Sequence, residues 1–432
     1  MKNIFGILGI MIFSVSVQAQ QRAESLKQLI SQSFTYFPKF KELGEQINES
    51  EHRVLLAKSG NKPVLSAQGS YRYMDPVSVI NIPTGSGTAS FQIMPNNNYS
   101  TMLNASYVLW DFGAVKAAVE SAKASLESSK HNLAHQQNEM AFQVSSIYYQ
   151  AAYLKGAVAI EQSVIEFLED NKKDTEARLR NGDALRYDVL SIQSSIDQEN
   201  NRKIALQNSL DKQLALLEYT TGGTIDVKSA DFGFQAAIPA DEAQSLAYAQ
   251  KRNSEFDLIR DRIKQAETQV GLFQSRAKPS VLLSAGTGYT NGYTPDIDKF
   301  RYNYNAGVTL RIPIYEGGKA REEISIAKSQ LASSHYAQEA LENTFLKDIR
   351  QAQIDIQSNT SSIINSRQQV IEALEAQKLA QSRYKNGIGT YLELTGASTN
   401  VQRAELANLQ YEFQLCIAHL SLARLTGLRY WE

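Results

Sequence analysis

Hydrophobic and polar positions along this chain follow two different periods. Over residues 112–180 apolar or small side chains recur at helical spacing, and Val119, Leu126, Leu133, Met140, Ile147 and Leu154 stand at strict intervals of seven, the seam of a coiled coil. Nearly 70 residues at 1.5 Å each make a rod of roughly 100 Å. A second rod spans 316–385, where Ala320, Ile324, Ala327 and Leu331 keep a 4-3-4 spacing. Shorter helical stretches occupy 24–62, 187–220, 241–277 and 390–425. Between them the period drops to two, the mark of strands, at about 63–80, 99–111, 279–291 and 300–313. In the last of these Phe300, Tyr302, Tyr304, Ala306, Val308, Leu310 and Ile312 alternate with Arg301, Asn303, Asn305, Thr309 and Arg311. One face is apolar and aromatic and the other is polar.

The nine prolines lie at 38, 63, 76, 83, 95, 239, 279, 295 and 313, so both rods are free of the residue that breaks helix interiors. The pattern also repeats. A shift of 205 lays LWDFGAVK (109–116) on IYEGGKAR (314–321) and RNGDALRYDVL (180–190) on KNGIGTYLELT (385–395). Upstream a shift of 216 pairs Phe40, Ile47, Val54 and Lys62-Pro63 with Phe256, Ile263, Val270 and Lys278-Pro279. The difference of eleven is a loop insertion, placed in NIPTGSGTASFQIMPNNN. The chain therefore divides into a first repeat 20–220, a linker 221–240, a second repeat 241–425 and a tail 426–432. Helices 187–220 and 241–277 together match one rod in length, which sets the linker and both chain ends at mid-height.

Residues 1–19 read as a secretory signal peptide: Lys2, an apolar run from Ile4 to Val17, and Val17-Gln18-Ala19 before the cut. A run of that length is too short to span a bilayer. A net charge of -1 offers no basic stripe to nucleic acid. Cys416, the single cysteine, flanked by Leu415 and Ile417, reads as a buried filler.

The four alternating stretches fit either half-buried strands of a soluble sheet or a transmembrane barrel. Strands of about ten residues, tyrosines near their ends and an export signal favour the barrel. Four strands cannot close one, and lipid does not tolerate an open edge. Eight would be filled by their own side chains, so the polar inner face calls for three or more copies.

The doubled order helix, strand, strand, helix, turn, helix, the strands KPVLSAQGSYRY and KPSVLLSAGTGY, the joints LWDFG and PIYEGG and the turns RNG and YKNG resemble the TolC-like outer membrane efflux proteins. The resemblance covers nearly the whole mature chain. It implies a mainly α protein with a transmembrane β-barrel: four strands per protomer, closing as a 12-stranded barrel in a homotrimer, continued by a coiled-coil tunnel in the periplasm. It implies residence in the outer membrane and work as the exit duct of a tripartite efflux pump, with a periplasmic adaptor protein and an inner membrane pump of RND or ABC type as partners. The exit duct of a type I protein secretion system and a non-conducting coiled-coil spacer are the alternatives.

In that frame the tip turns are 181–186, with Asn181 and Gly182, and 386–389, with Asn386, Gly387 and Gly389. Glycine after asparagine suits a helix C-cap, and Thr390 with Glu393 suits a capping box for the returning helix. The resemblance adds a gate: Tyr384, Gly387 and Glu393 match an aromatic, a glycine and the first of two acids, whereas Gly396 stands in place of the second and Gly389 in place of an arginine. Asp188 is the first-repeat counterpart of Glu393, and a ring of such carboxylates would favour cations. No catalytic constellation, cofactor loop or metal site is expected. His131 and His135 are four apart on a helix, but no third ligand is recognisable in the sequence.

Overall fold

A computed structural model describes residues 26–223, 227–229, 232–234 and 241–432. The expected signal peptide and much of the expected linker lie outside the described residues. The chain divides into two compact units. One comprises Glu45–Lys130 and Ile259–Ala337 and holds the strands, and the other comprises the residues up to Gly44, His131–Leu258 and Gln338–Glu432.

In the strand unit, β1 (Val64–Tyr73), β4 (Asn97–Trp110), β5 (Ser280–Thr290) and β6 (Arg301–Arg311) form one antiparallel sheet in the order β1-β4-β5-β6. Both repeats thus contribute to a single sheet, whose edges are β1 and β6. The register sets Tyr71 opposite Tyr99 and Tyr289 opposite Tyr302, and the ring centroids of these pairs lie 5.1 Å and 5.7 Å apart. Trp110 and Phe112 touch at 6.0 Å beyond the other end of β4. Aromatic bands at both strand ends bracket a side-chain face that includes Leu65, Leu103, Val308 and Leu310, all exposed in the single chain, as a lipid-facing wall requires.

The eleven-residue difference between the repeats is more than a loop. β2 (Val79–Thr84) and β3 (Gly87–Gln92) pair as a separate hairpin, with Ile80 opposite Phe91 and Ile82 opposite Ala89. The expected strand over 63–80 accordingly stops at Tyr73, where a cis Asp75-Pro76 bond turns the chain.

Each repeat enters its long helix through two successive left-handed residues, Phe112 (φ 51°) and Gly113 (φ 92°) in the first and Gly317 (φ 66°) and Gly318 (φ 81°) in the second. Phenylalanine in that conformation carries about 1–2 kcal/mol of strain. It stays because its ring extends the aromatic band. Asp111 steadies the joint by accepting from the amides of Gly113 and Val115.

α3 (Ala114–Arg180) and α7 (Lys319–Lys385) are uninterrupted helices of 67 residues whose first and last residues share one offset of 205. The two helices expected at 24–62 and 241–277 are each broken once, into α1 (26–36) and α2 (Pro38–Ser59), and into α5 (Glu242–Arg252) and α6 (Ser254–Arg276). The breaks, at Phe37 and Asn253, match under the 216 shift. Pro38 is tolerated at the first helical position because no hydrogen bond is lost there.

The helical unit is built around one apolar core that gathers Leu29, Ile30 and Leu43 with Val144, Ile147 and Leu154 of α3, Leu217 of α4 (Arg186–Thr221), and Cys416 and Leu420 of α8 (Tyr391–Leu425). The C-terminal Tyr430 and Trp431 pack onto the same core. Asn253 joins two helix ends here. Its Oδ1 accepts from the Glu255 amide, capping α6, while its Nδ2 donates to the Arg424 and Leu425 carbonyls at the end of α8. Asn253→Ala should lower stability by about 1–2 kcal/mol, and Asn253→Asp, which keeps the acceptor, by less. A urea melt of the purified protein checks both.

Candidate functional site

The ends of α3 and α7 are built alike. The Gly182 amide donates to Leu179 O and the Asp183 amide to Arg178 O, and likewise Gly387 to Tyr384 O and Ile388 to Arg383 O. This is the paired closing pattern in which the residue after the C-cap turns left-handed. Gly182 and Gly387 have φ of 85° and 75°, which suits glycine. Asn181 and Asn386 occupy the C-cap positions just before them.

The returning helices are capped by opposite halves of one device. Thr390 Oγ1 accepts from the Glu393 amide at 3.2 Å, yet the Glu393 carboxylate turns to Arg383 Nε, 3.6 Å away. In the first turn Leu185 has no acceptor to offer, and the Asp188 carboxylate instead accepts from the Leu185 amide at 3.2 Å. Asp188 is thus committed to the cap, whereas Glu393 lies half-exposed beside an arginine.

Gly389 has a steric reason. Its amide donates to Arg383 O, and a Cβ at this position would sit 3.0 Å from Arg383 Cβ and 3.1 Å from the Tyr384 nitrogen. Any side chain there requires the end of α7 to shift by a few tenths of an ångström. Gly396 is different, since a Cβ would meet nothing within 4 Å.

Tyr384 is 4% exposed. Thr175 Oγ1 spends its proton on Asn171 O, so the Tyr384 hydroxyl, 2.8 Å away, is the donor to Thr175. Arg178 lies over the Tyr384 ring at 5.0 Å and donates to the Tyr384 carbonyl at 2.6 Å. Lys385 pairs with Asp174 at 3.1 Å. Across the turn, Ser195 donates to Ser191 O, so the Tyr391 hydroxyl donates to Ser195 at 3.3 Å. Burial raises the Tyr391 phenol above its ordinary value, and it stays protonated. The two tyrosines flanking the second turn therefore tie α7 to α3 and α8 to α4. The exposed ion pairs are worth about 0–1 kcal/mol each, so the buried tyrosine contacts dominate. Thr175, Arg178, Asp174 and Ser195 escaped the sequence reading. The available signal was polar side chains just before the first glycine turn and between two and three helical turns into α4.

Among the described residues His135 groups not with His131 but with Glu139 and Glu255, whose ligand atoms lie within 4.8 Å of one another and of the imidazole. Arg424 already lies 3.0 Å from Glu139 and 3.7 Å from Glu255. Its guanidinium supplies the positive charge, and the group is an ion-pair cluster.

An antiparallel sheet with aromatic-bracketed strands, in a chain whose long helices end in interlocked turns, has the features of an outer membrane channel protein. The chain belongs to the outer membrane efflux protein family, whose sequence model matches it twice, over residues 45–223 and 246–428. Nodulation protein T of Rhizobium leguminosarum bv. trifolii is 23% identical over 398 residues, covering 88% of this chain and 80% of the relative. Outer membrane protein TolC of Vibrio cholerae is 24% identical over 284 residues, 61% of this chain and 64% of the relative. The solved outer-membrane channel OprN superposes with a TM-score of 0.79 at 19% identity, over 95% of this chain and 91% of that one. The family is one of outer membrane efflux proteins and not of enzymes.

The two turn glycines near Glu393 should respond oppositely to one methyl group. Gly396→Ala, in open space within α8, should stabilise by about 0.5–1 kcal/mol. Gly389→Ala should destabilise, because the end of α7 must move. Thermal melts of the two variants give the signs.

Proposed function

We propose that three copies of this chain close a twelve-stranded barrel in the outer membrane and continue as a helical duct into the periplasm, the passive exit of a tripartite efflux pump. The observation that carries this is the four-stranded sheet, with an aromatic-bracketed apolar face and β1 and β6 as its edges. An edge strand presents a row of N–H and C=O groups that lipid cannot satisfy, so β1 must pair with β6 of a neighbour. Two sheets would leave an interior filled by side chains, and three leave a passage. Family membership supports the kind of partner: a periplasmic adaptor and an inner membrane pump.

In this reading the turns at 181–186 and 386–389 form the periplasmic tip, and the tyrosine clasps hold it shut. Tyr384 acts as a latch inside the protomer. Glu393, on the same exposed face of α8 as Gly396, supplies a lumen carboxylate partly offset by Arg383, and Asp188 serves chiefly as a cap. The narrowing therefore depends more on hydroxyl contacts than on a ring of charge.

Cysteine pairs scanned along Ser66–Ser70 of β1 and Asn303–Gly307 of β6 should yield covalent trimers on oxidation. The reading fails if they yield only monomers. In planar bilayers Tyr384→Phe combined with Tyr391→Phe should raise single-channel conductance severalfold. Glu393→Gln should leave conductance near the parent value and shift selectivity away from cations. Absence of conductance in every variant would point to the non-conducting spacer instead.

A further inference from the structure

The sevenfold seam of α3 does not stop at Leu154. Its next positions are Glu161, Leu168 and Thr175, and both polar members are 0% exposed. Thr175 belongs to the Tyr384 clasp, but Glu161 has no part in it. Its Oε2 accepts from Gln402 Nε2 of α8 at 2.6 Å, and the same amide nitrogen donates to Glu199 Oε2 of α4 at 2.8 Å. Glu161 Oε1 has no partner, nor has the buried Ser398 hydroxyl, one turn before Gln402. Three helices thus meet at two carboxylates bridged by one amide. Apolar packing resumes one turn further along α3, where Ile165 and Leu168 meet Ile192 and Ile196 of α4.

Two carboxylates this close, one of them fully buried, do not both ionise readily. We infer that Glu161 holds a proton against the neighbouring Glu199, under Gln402, in a joint that fastens α8 to α3 and α4, and that loss of the proton loosens this joint. A shared proton lets one carboxyl donate to the other, whereas two anions repel and leave a buried charge with one neutral donor.

The charged surroundings agree with this. From α4, Arg202 pairs at 2.8 Å with Glu199 Oε2, the same oxygen that accepts from Gln402, and so supplies the Glu199 carboxylate with a counter-charge that Glu161 lacks, while Lys203 donates to Gln162 at 2.5 Å. From α8 come the neutral Gln402 and, one turn on, Glu405, itself pushed up by burial. On α3, Glu166 accepts from Gln162. Burial first, then the hydrogen bond with Glu199, pushes Glu161 from 4.5 up to about 7. The sign follows from linkage: the joined helices hold a proton that separated helices release, so the proton's contribution is complete below about 4.5 and is lost as pH rises towards about 7. If the tip reading above is right, opening is favoured on the alkaline side, by up to about tenfold per pH unit within that window.

The test is the apparent melting temperature of the purified protein in detergent between about pH 5 and pH 8, paired with bilayer conductance over the same range. The parent should lose thermal stability as pH rises. Glu161→Gln, isosteric and neutral, should flatten that slope, Glu199→Gln should do so independently, and Glu405→Gln should retain most of it. Conductance of the parent should rise with pH, and that of Glu161→Gln should stay at the acid-side level. Parent slopes in both Glu161→Gln and Glu199→Gln would overturn the proton site. Flattened melting slopes without conductance at any pH would overturn the duct reading and leave the proton site standing.

Discussion

An unpaired strand edge is intolerable in hydrocarbon, and most of this molecule's design answers that constraint. Each backbone N–H or C=O left without a partner there costs several kcal/mol, far more than any side-chain contact along the sheet returns. Neither repeat supplies more than two strands of the four-stranded sheet, so β4 of the first repeat pairs with β5 of the second. In the proposed barrel the same constraint accounts for the exposure of Leu103, Tyr304 and Leu310 in a single chain, since lipid and neighbouring copies would cover those surfaces.

The helical unit solves a different problem along its length. Around Val144, Ile147, Leu217 and Leu420 the helices share a large apolar core, which is hard to separate because every exposed methylene costs about 0.8 kcal/mol. Nearer the turns polar Glu161, Asn171 and Thr175 are buried among a smaller apolar cluster that includes Ile165, Leu168, Ile192 and Ile196. Polar groups at a helical seam lower stability but fix register, and they can find replacement partners in water when helices part. A large apolar core and a partly polar seam thereby lie on the same helix, α3, and in the proposed duct the second is the part suited to opening.

Much of the architecture is legible in the sequence because periodicity and proline placement report it directly. The rods, the four strands of the sheet and the glycine turns follow from residue patterns alone. The β2–β3 hairpin is less visible because the proline and glycines of NIPTGSGTASFQIM interrupt the alternation of Ile80 and Ile82, then Ala89 and Phe91. The break at Asn253 has a local signal, an asparagine followed by Ser and Glu, yet its real cause is the distant end of α8. Site residues were least legible. Tyr384 and Glu393 stand out beside a glycine turn, but Thr175 and Arg178 acquire meaning only when α3 and α7 lie side by side, and the close approach of Arg383 to Gly389 is visible only in the folded turn. Glu161 was readable, since it continues the count of sevens from Val119.

The two caps at the turns bear on how such an assembly could move. In the first hairpin Asp188 closes back on its own helix, making that turn self-contained. In the second, Glu393 leaves its cap half made and leans on Arg383 of the preceding helix, so α7 and α8 are coupled through a contact that water can replace. A duct built from nearly equivalent hairpins would then have unequal parts, with one hairpin of each copy behaving as a fixed stave and the other as a shutter.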